Sequence, residues 1–187
     1  MNWGLVPEIF FDVIGRVMPG CLLIVAAMSV GLGPRRASEL ILPSALGIGA
    51  SALLLLALAS YFVSVTLKQV WEWIGAMRKQ KASGDFSVIL HTIGRSQPAE
   101  AARLVKIQAE KNFCEVMIAG LGVLVPIDLW FLWAGSEAVT RERLWLLGAM
   151  LLSILTSWRW RLRLETLYRS SIETLKSVAE NLPQIQP

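Results

Sequence analysis

Four long apolar runs decide what this chain can fold into. A helix that crosses about 30 Å of hydrocarbon needs about 20 largely apolar residues. Such runs lie at residues 9–32, 43–67, 113–133 and 144–160. The second, PSALGIGASALLLLALASYFVSVTL, is the cleanest. The fourth has a short uncharged core and is expected to borrow Arg159 and later residues, whose long side chains reach the headgroups. Composition agrees: the chain is 55% hydrophobic and 17% charged, with mean hydropathy +0.54, whereas soluble domains are about 25% charged. The expectation is an all-α integral membrane protein, built as a four-transmembrane-helix bundle. With 187 residues there is no room for a large soluble domain, and no long repeat or low-complexity linker divides the chain. Residues 1–187 are therefore read as a single membrane domain.

The opening stretch EIFFDVIGRVMPG carries Glu8, Asp12 and Arg16 within an apolar run. A signal peptide would begin with basic residues and end at a small-residue cleavage site. Here the early charges are acidic, and GLGPRR follows the core, so the segment is expected to be retained as span one. Pro7 and Glu8 suit the first turn of a helix. Pro19 should kink or restart it.

Lys and Arg in short loops mark the cytoplasmic side. The segment between spans two and three carries eight of them and the C-terminal tail five, against two in each remaining loop. Both termini and residues 68–112 are therefore expected in the cytoplasm, with loops 33–42 and 134–143 outside, and the protein is expected in the cell's inner membrane as a multi-pass protein. The tryptophans fit this orientation: Trp3, Trp71, Trp73, Trp158 and Trp160 fall at inner boundaries, and Trp130, Trp133 and Trp145 at outer ones. Cys21 and Cys114 lie near the cytoplasmic ends of their spans, in a reducing compartment where no disulfide is expected.

The helix of span two is expected to run on to about residue 82, and SGD at 83–85 to break it. DFSVILHTIG reads as a short helix capped by Asp85 and closed by Gly94. A new helix starts at Ser96-Gln97-Pro98 and runs into span three without interruption. Spans two and three are thus extended into a cytoplasmic helical hairpin at residues 68–112. Span four continues into a tail helix over residues 161–182, ended by Pro183. Leu164, Tyr168, Ile172, Leu175 and Val178 form an apolar stripe on it, which either packs on the chain's own hairpin or serves as a subunit contact. Small residues at helix-packing spacing, Ala45 with Gly49, Gly47 with Ser51 and Ala27 with Gly31, allow close packing of spans one and two.

No catalytic or metal motif is present: there is one histidine, His91, two separated cysteines, and no HExxH, G-x-S-x-G or Walker A pattern. No enzyme activity and no cofactor are expected. The informative residues are charges at membrane depth. Asp128 follows Pro126, which should bend the helix, and either lines a water-filled or ion-accessible cavity, lies close enough to the outer interface to hydrate, or pairs with Arg141 or Arg143. Glu8, Asp12 and Arg16 share one helix stripe and either face the headgroups or form a polar seam at the cytoplasmic mouth. Glu115 belongs to the same inner boundary. Arg78, Lys79, Lys81, Arg159, Arg161 and Arg163 are read as topology signals that contact anionic headgroups of the inner leaflet. Nucleic acid is not an expected partner.

Three function classes remain: a homo-oligomeric channel or membrane effector governed from the cytoplasm, an anchor or sensor that recruits a cytoplasmic protein, and a small transporter or intramembrane enzyme. The layout of a few spans joined to a cytoplasmic helical module is similar in kind to small bacterial membrane effectors of anti-phage systems. That resemblance implies the first class and a role in antiviral defence. It assigns no residue.

Overall fold

The computed structural model describes residues 11, 13–47, 50–77, 98–134 and 141–181. Every regular element among them is helical. A π-helical turn, Val13–Val17, leads into α1, Met18–Leu32; then come α2, Pro34–Gly47; α3, Ala50–Met77; α4, Pro98–Trp133; and α5, Arg141–Asn181. Three segments are long and apolar enough to cross a membrane: Val13–Leu32, Ser51–Gly75 and Ala102–Trp133. The apolar part of α5 does not meet that measure, because its uncharged run covers only residues 144–158, between Arg143 and Arg159.

Local chemistry explains the breaks. Pro19 has no N–H to give to the preceding turn, and the regular α-helix begins beside it, with Pro19 in its first two positions and a wider π-turn before it. Gly33 closes α1 at φ 85°, a conformation that a Cβ would strain. Pro34 then opens α2 with its φ already set for a helix. The expected loop at 33–42 is thus helical over most of its length, favoured by an Arg35–Glu39 pair at i, i+4, 3.3 Å apart. Within the run expected as span two, α2 is described as far as Gly47 and α3 from Ala50, and residues 48–49 lie outside the described residues. Pro98 opens α4 as expected, and α4 continues through Pro126 without interruption. The tail also continues α5 without a break, as far as Asn181.

α4 is the central helix. It packs against the π-turn and α1, against α3, and most extensively against α5. One core joins Leu23 and Val30 of α1, Val116, Met117 and Leu121 of α4, and Met150 of α5. A second joins Leu104, Ile107 and Cys114 of α4 to Leu164 and Tyr168 of α5, with Ile172 packed against it. Part of the tail stripe is therefore buried within the chain. The side chains of Leu175 and Val178 lie outside the described residues.

Beside these apolar cores, the outer surface is unlike that of a water-soluble domain, with many large apolar side chains exposed. Leu54 and Leu55 are 70% and 65% exposed, while Ser60 and Asp128 are 0% exposed. Apolar side chains outside and polar ones inside suit a hydrocarbon solvent, in which buried polar groups must find partners within the protein. The close approach of α1 to α3 occurs at Gly20, where a Cβ would collide with the backbone of Ser60. The expected pair Ala27 and Gly31 plays no part in it: Ala27 is exposed and Gly31 faces open space. Gly49 lies outside the described residues, as do the surroundings of the Ala45 side chain and of Gly47, whose helical backbone alone is described.

Candidate functional site

The buried charged side chains of the described helices form two groups, at the two ends of the α4–α5 contact. Glu115, one turn inside the apolar part of α4, is the hub of the first. Its Oε2 accepts from Nζ of Lys68 on α3, and its Oε1 accepts from Nε of Arg161 on α5 at 3.2 Å. The Glu115 and Arg161 side chains are 4% and 9% exposed. Lys68 also lies 3.6 Å from Glu72, and Arg161 lies 3.9 Å from Glu165. The Arg161 guanidinium sits 5.3 Å from the ring of Trp71 and 5.9 Å from that of Trp158, close enough for cation–π attraction. One carboxylate thus ties α3, α4 and α5 together, with both its oxygens engaged.

At the other end, Arg143 of α5 donates to Oδ1 of Asp128 at 3.4 Å, and both side chains are almost completely buried. Arg143 also lies 5.7 Å from the ring of Phe131. Asp128 and Glu115 are thirteen residues apart on α4, about 20 Å along its axis. No charged residue lies between them, nor between Arg143 and Arg159 on α5. Two buried ionic clasps therefore bracket an apolar stretch of the helix pair.

Beside the Glu115 cluster, a groove of about 400 Å³ opens between the π-turn, α3 and α4. Arg16, Tyr61, Lys68, Gln69, Glu72 and Asn112 line it. Arg16 donates to the Tyr61 hydroxyl at 3.0 Å and lies 5.6 Å from its ring. Ser64 donates to the backbone oxygen of Arg16, in a stretch that Pro19 leaves short of one backbone donor. Ser60 donates to Leu56 O at 2.7 Å, which leaves the Cys21 thiol as donor to the Ser60 hydroxyl at 3.0 Å. A second cavity of about 400 Å³, mostly apolar, lies among Ile14, Phe113, Cys114, Thr156 and Trp160.

Several sequence expectations are revised by this geometry. Asp128 is buried against Arg143, one of the pairings expected for it, because α5 runs antiparallel beside α4. Pro126 is exposed on the uninterrupted helix. Arg161 is turned inward on Glu115, because its position on α5 faces α4. Arg159 and Arg163 are exposed, with Arg163 lying 5.6 Å from the ring of Trp160. Leu164 and Tyr168 are buried in their own chain, and burial pushes the Tyr168 hydroxyl above its usual range. Arg16 joins Tyr61 in the groove. Glu8, Asp12, Arg78, Lys79, Lys81, His91 and the helix expected at 85–94 lie outside the described residues.

The sequence reading missed the Lys68–Glu115–Arg161 cluster. Its signal was a lone acid in an apolar run, FCEVMIAG, with basic residues at the facing ends of two other spans. Among the described residues, no group of three or more His, Cys, Asp or Glu is placed to hold a metal ion, and both cysteines are free thiols.

Compared with known proteins, the chain matches no family model, no protein of curated function and no solved structure.

Proposed function

We propose that this chain is a four-span protein of a bacterial inner membrane, with both termini and the helical hairpin at residues 68–112 in the cytoplasm. It works there as a homo-oligomeric membrane effector governed from its cytoplasmic side, in the manner of anti-phage membrane effectors. One observation carries the reading: the Glu115 carboxylate ties together α3, α4 and α5, which all continue past it toward the end that the basic residues mark as cytoplasmic. Movement of the hairpin or tail in the cytoplasm is thereby felt at the inner end of the spans.

Support for the fourth span comes from α5. Its uncharged residues 144–158 would rise about 22 Å, and Arg143 and Arg161 extend that length by neutralising their charge on Asp128 and Glu115. A bilayer tolerates buried charges paired in this way. The described part of one copy is filled by an apolar core, so a conduction path would run between copies. The same core favours the second reading, an anchor or sensor that recruits a cytoplasmic protein.

Reconstitution separates the two. The purified protein in liposomes should release a small dye or conduct ions when the cytoplasmic trigger is supplied as extract, and crosslinking should give a ladder above the monomer. A monomer without leakage under any extract, which retains a soluble protein through residues 68–112, would replace the effector by the anchor.

A further inference from the structure

The groove between the π-turn, α3 and α4 has a chemistry that the effector reading does not use. Its polar groups are unequally spent. The Tyr61 oxygen accepts from Arg16, so its own O–H hydrogen is directed elsewhere. Gln108 Nε2 donates to Asn112 Oδ1 at 3.3 Å, which leaves the Asn112 amide hydrogens as donors. Gln69, on the same wall, is exposed and adds an amide. The Ser64 hydroxyl donates to Arg16 O, and the Glu72 carboxylate lies 3.6 Å from Lys68. Two cations, Arg16 and Lys68, with the Tyr61 hydroxyl and the amides of Gln69 and Asn112, give the groove donors that fit a ligand carrying acceptor oxygens.

Position narrows the ligand further. Exposed Leu58 and Phe62 continue from the groove along α3 on the apolar side, and exposed Trp73 lies beyond it on the other. Tryptophans of this kind sit at headgroup level. The groove is thus bounded by an acyl-chain surface on one side and an interfacial aromatic on the other.

We propose that this groove is a binding site for the phosphate of a phospholipid headgroup, held by Tyr61, Gln69 and Asn112 beside Arg16 and Lys68, with the acyl chains lying along Leu58 and Phe62. The assignment rests on the membrane reading. It goes beyond general contact of basic residues with anionic lipid, because it names one lipid in a built groove. It differs from a site for soluble phosphate in needing the chains.

The test uses the full chain, purified in dodecyl maltoside and stripped of lipid. Dioctanoyl phosphatidylglycerol should raise its Tm saturably, and native mass spectrometry should retain one such lipid per chain. Dioctanoylglycerol, with the same chains and no phosphate, and inorganic phosphate, with no chains, should each fail to do so at the same concentration. Asn112→Leu and, separately, Gln69→Leu should weaken the lipid midpoint about tenfold each, as loss of a hydrogen bond to a charged group does, while the lipid-free Tm changes little. Gln69→Leu lies on an exposed position, so it gives a reading even if Asn112→Leu folds poorly. Equal protection by dioctanoylglycerol, equal protection by inorganic phosphate, or an unchanged midpoint in Gln69→Leu would each overturn the assignment. A chain that fails here but keeps four spans by cysteine labelling loses the lipid site alone.

Discussion

Glu115 on α4 and Arg161 on α5 meet at 3.2 Å with both side chains more than nine-tenths buried, forty-six residues apart in sequence. Neither would be stable at that depth alone. Removing one partner of a buried ion pair costs about 3–5 kcal/mol, whereas replacing both by apolar groups is often close to neutral. Glu115→Gln should therefore lower stability by about that amount, because it leaves Lys68 and Arg161 without their shared anion. The double variant Glu115→Leu, Arg161→Met should lose less than the two single losses together, with a coupling of about 1 kcal/mol or more. Equilibrium unfolding in mixed micelles measures this, and strictly additive losses would remove Glu115 as the hub.

Asp128 and Arg143 make a parallel case at the far end of α4. Asp128→Asn should destabilise the protein by about 3–5 kcal/mol, since Arg143 stays buried beside a neutral amide. Asp128→Leu with Arg143→Met should recover most of that loss. In liposomes, Asp128→Asn should leave the ion selectivity of any leakage unchanged, because the carboxylate is buried against Arg143 of α5. A clear change in selectivity with stability intact would restore Asp128 as a pore residue.

The α1–α3 contact depends on Gly20. A methyl group there meets the backbone of Ser60, which cannot rotate away, so Gly20→Ala should cost about 1–3 kcal/mol as overpacking does. Gly122→Ala and Gly148→Ala have nothing within 4 Å of the added carbon. Those two should be neutral or stabilising by up to about 1 kcal/mol, from helix propensity. Thermal unfolding of the three variants side by side checks the contrast. Equal losses at all three would mean that glycine acts here through backbone freedom rather than close approach.

Much of the helical plan is legible in the sequence, because its signals are local. Pro98 at the start of α4, Pro19 at the head of α1 and the unbroken stripe of α5 each follow from the residue itself or its near neighbours. The pairings that define the site are of another kind. Which of the basic residues 159, 161 and 163 turns inward depends on the register of α5 against α4, and periodicity along one helix does not encode that register. Arg161 therefore reads as one of three equivalent headgroup residues until α4 is beside it. The helix α2 was masked by expectation: RRASELIL contains good helix formers and an i, i+4 ion pair, yet its place between two apolar runs makes it look like a loop.

The path of α5 is the point on which the rest depends, since both ionic clasps lie on it and the proposed fourth span requires it to return to the side from which α4 came. A cysteine-free background, Cys21→Ser with Cys114→Ala, allows single cysteines to be read in intact cells with a membrane-impermeant maleimide. Ser38→Cys and Ser136→Cys should be labelled from outside, while Ser83→Cys and Ser177→Cys should react only after the cells are permeabilised. Labelling of Ser177→Cys together with Ser136→Cys in intact cells would put both ends of α5 on one side and contradict the four-span account.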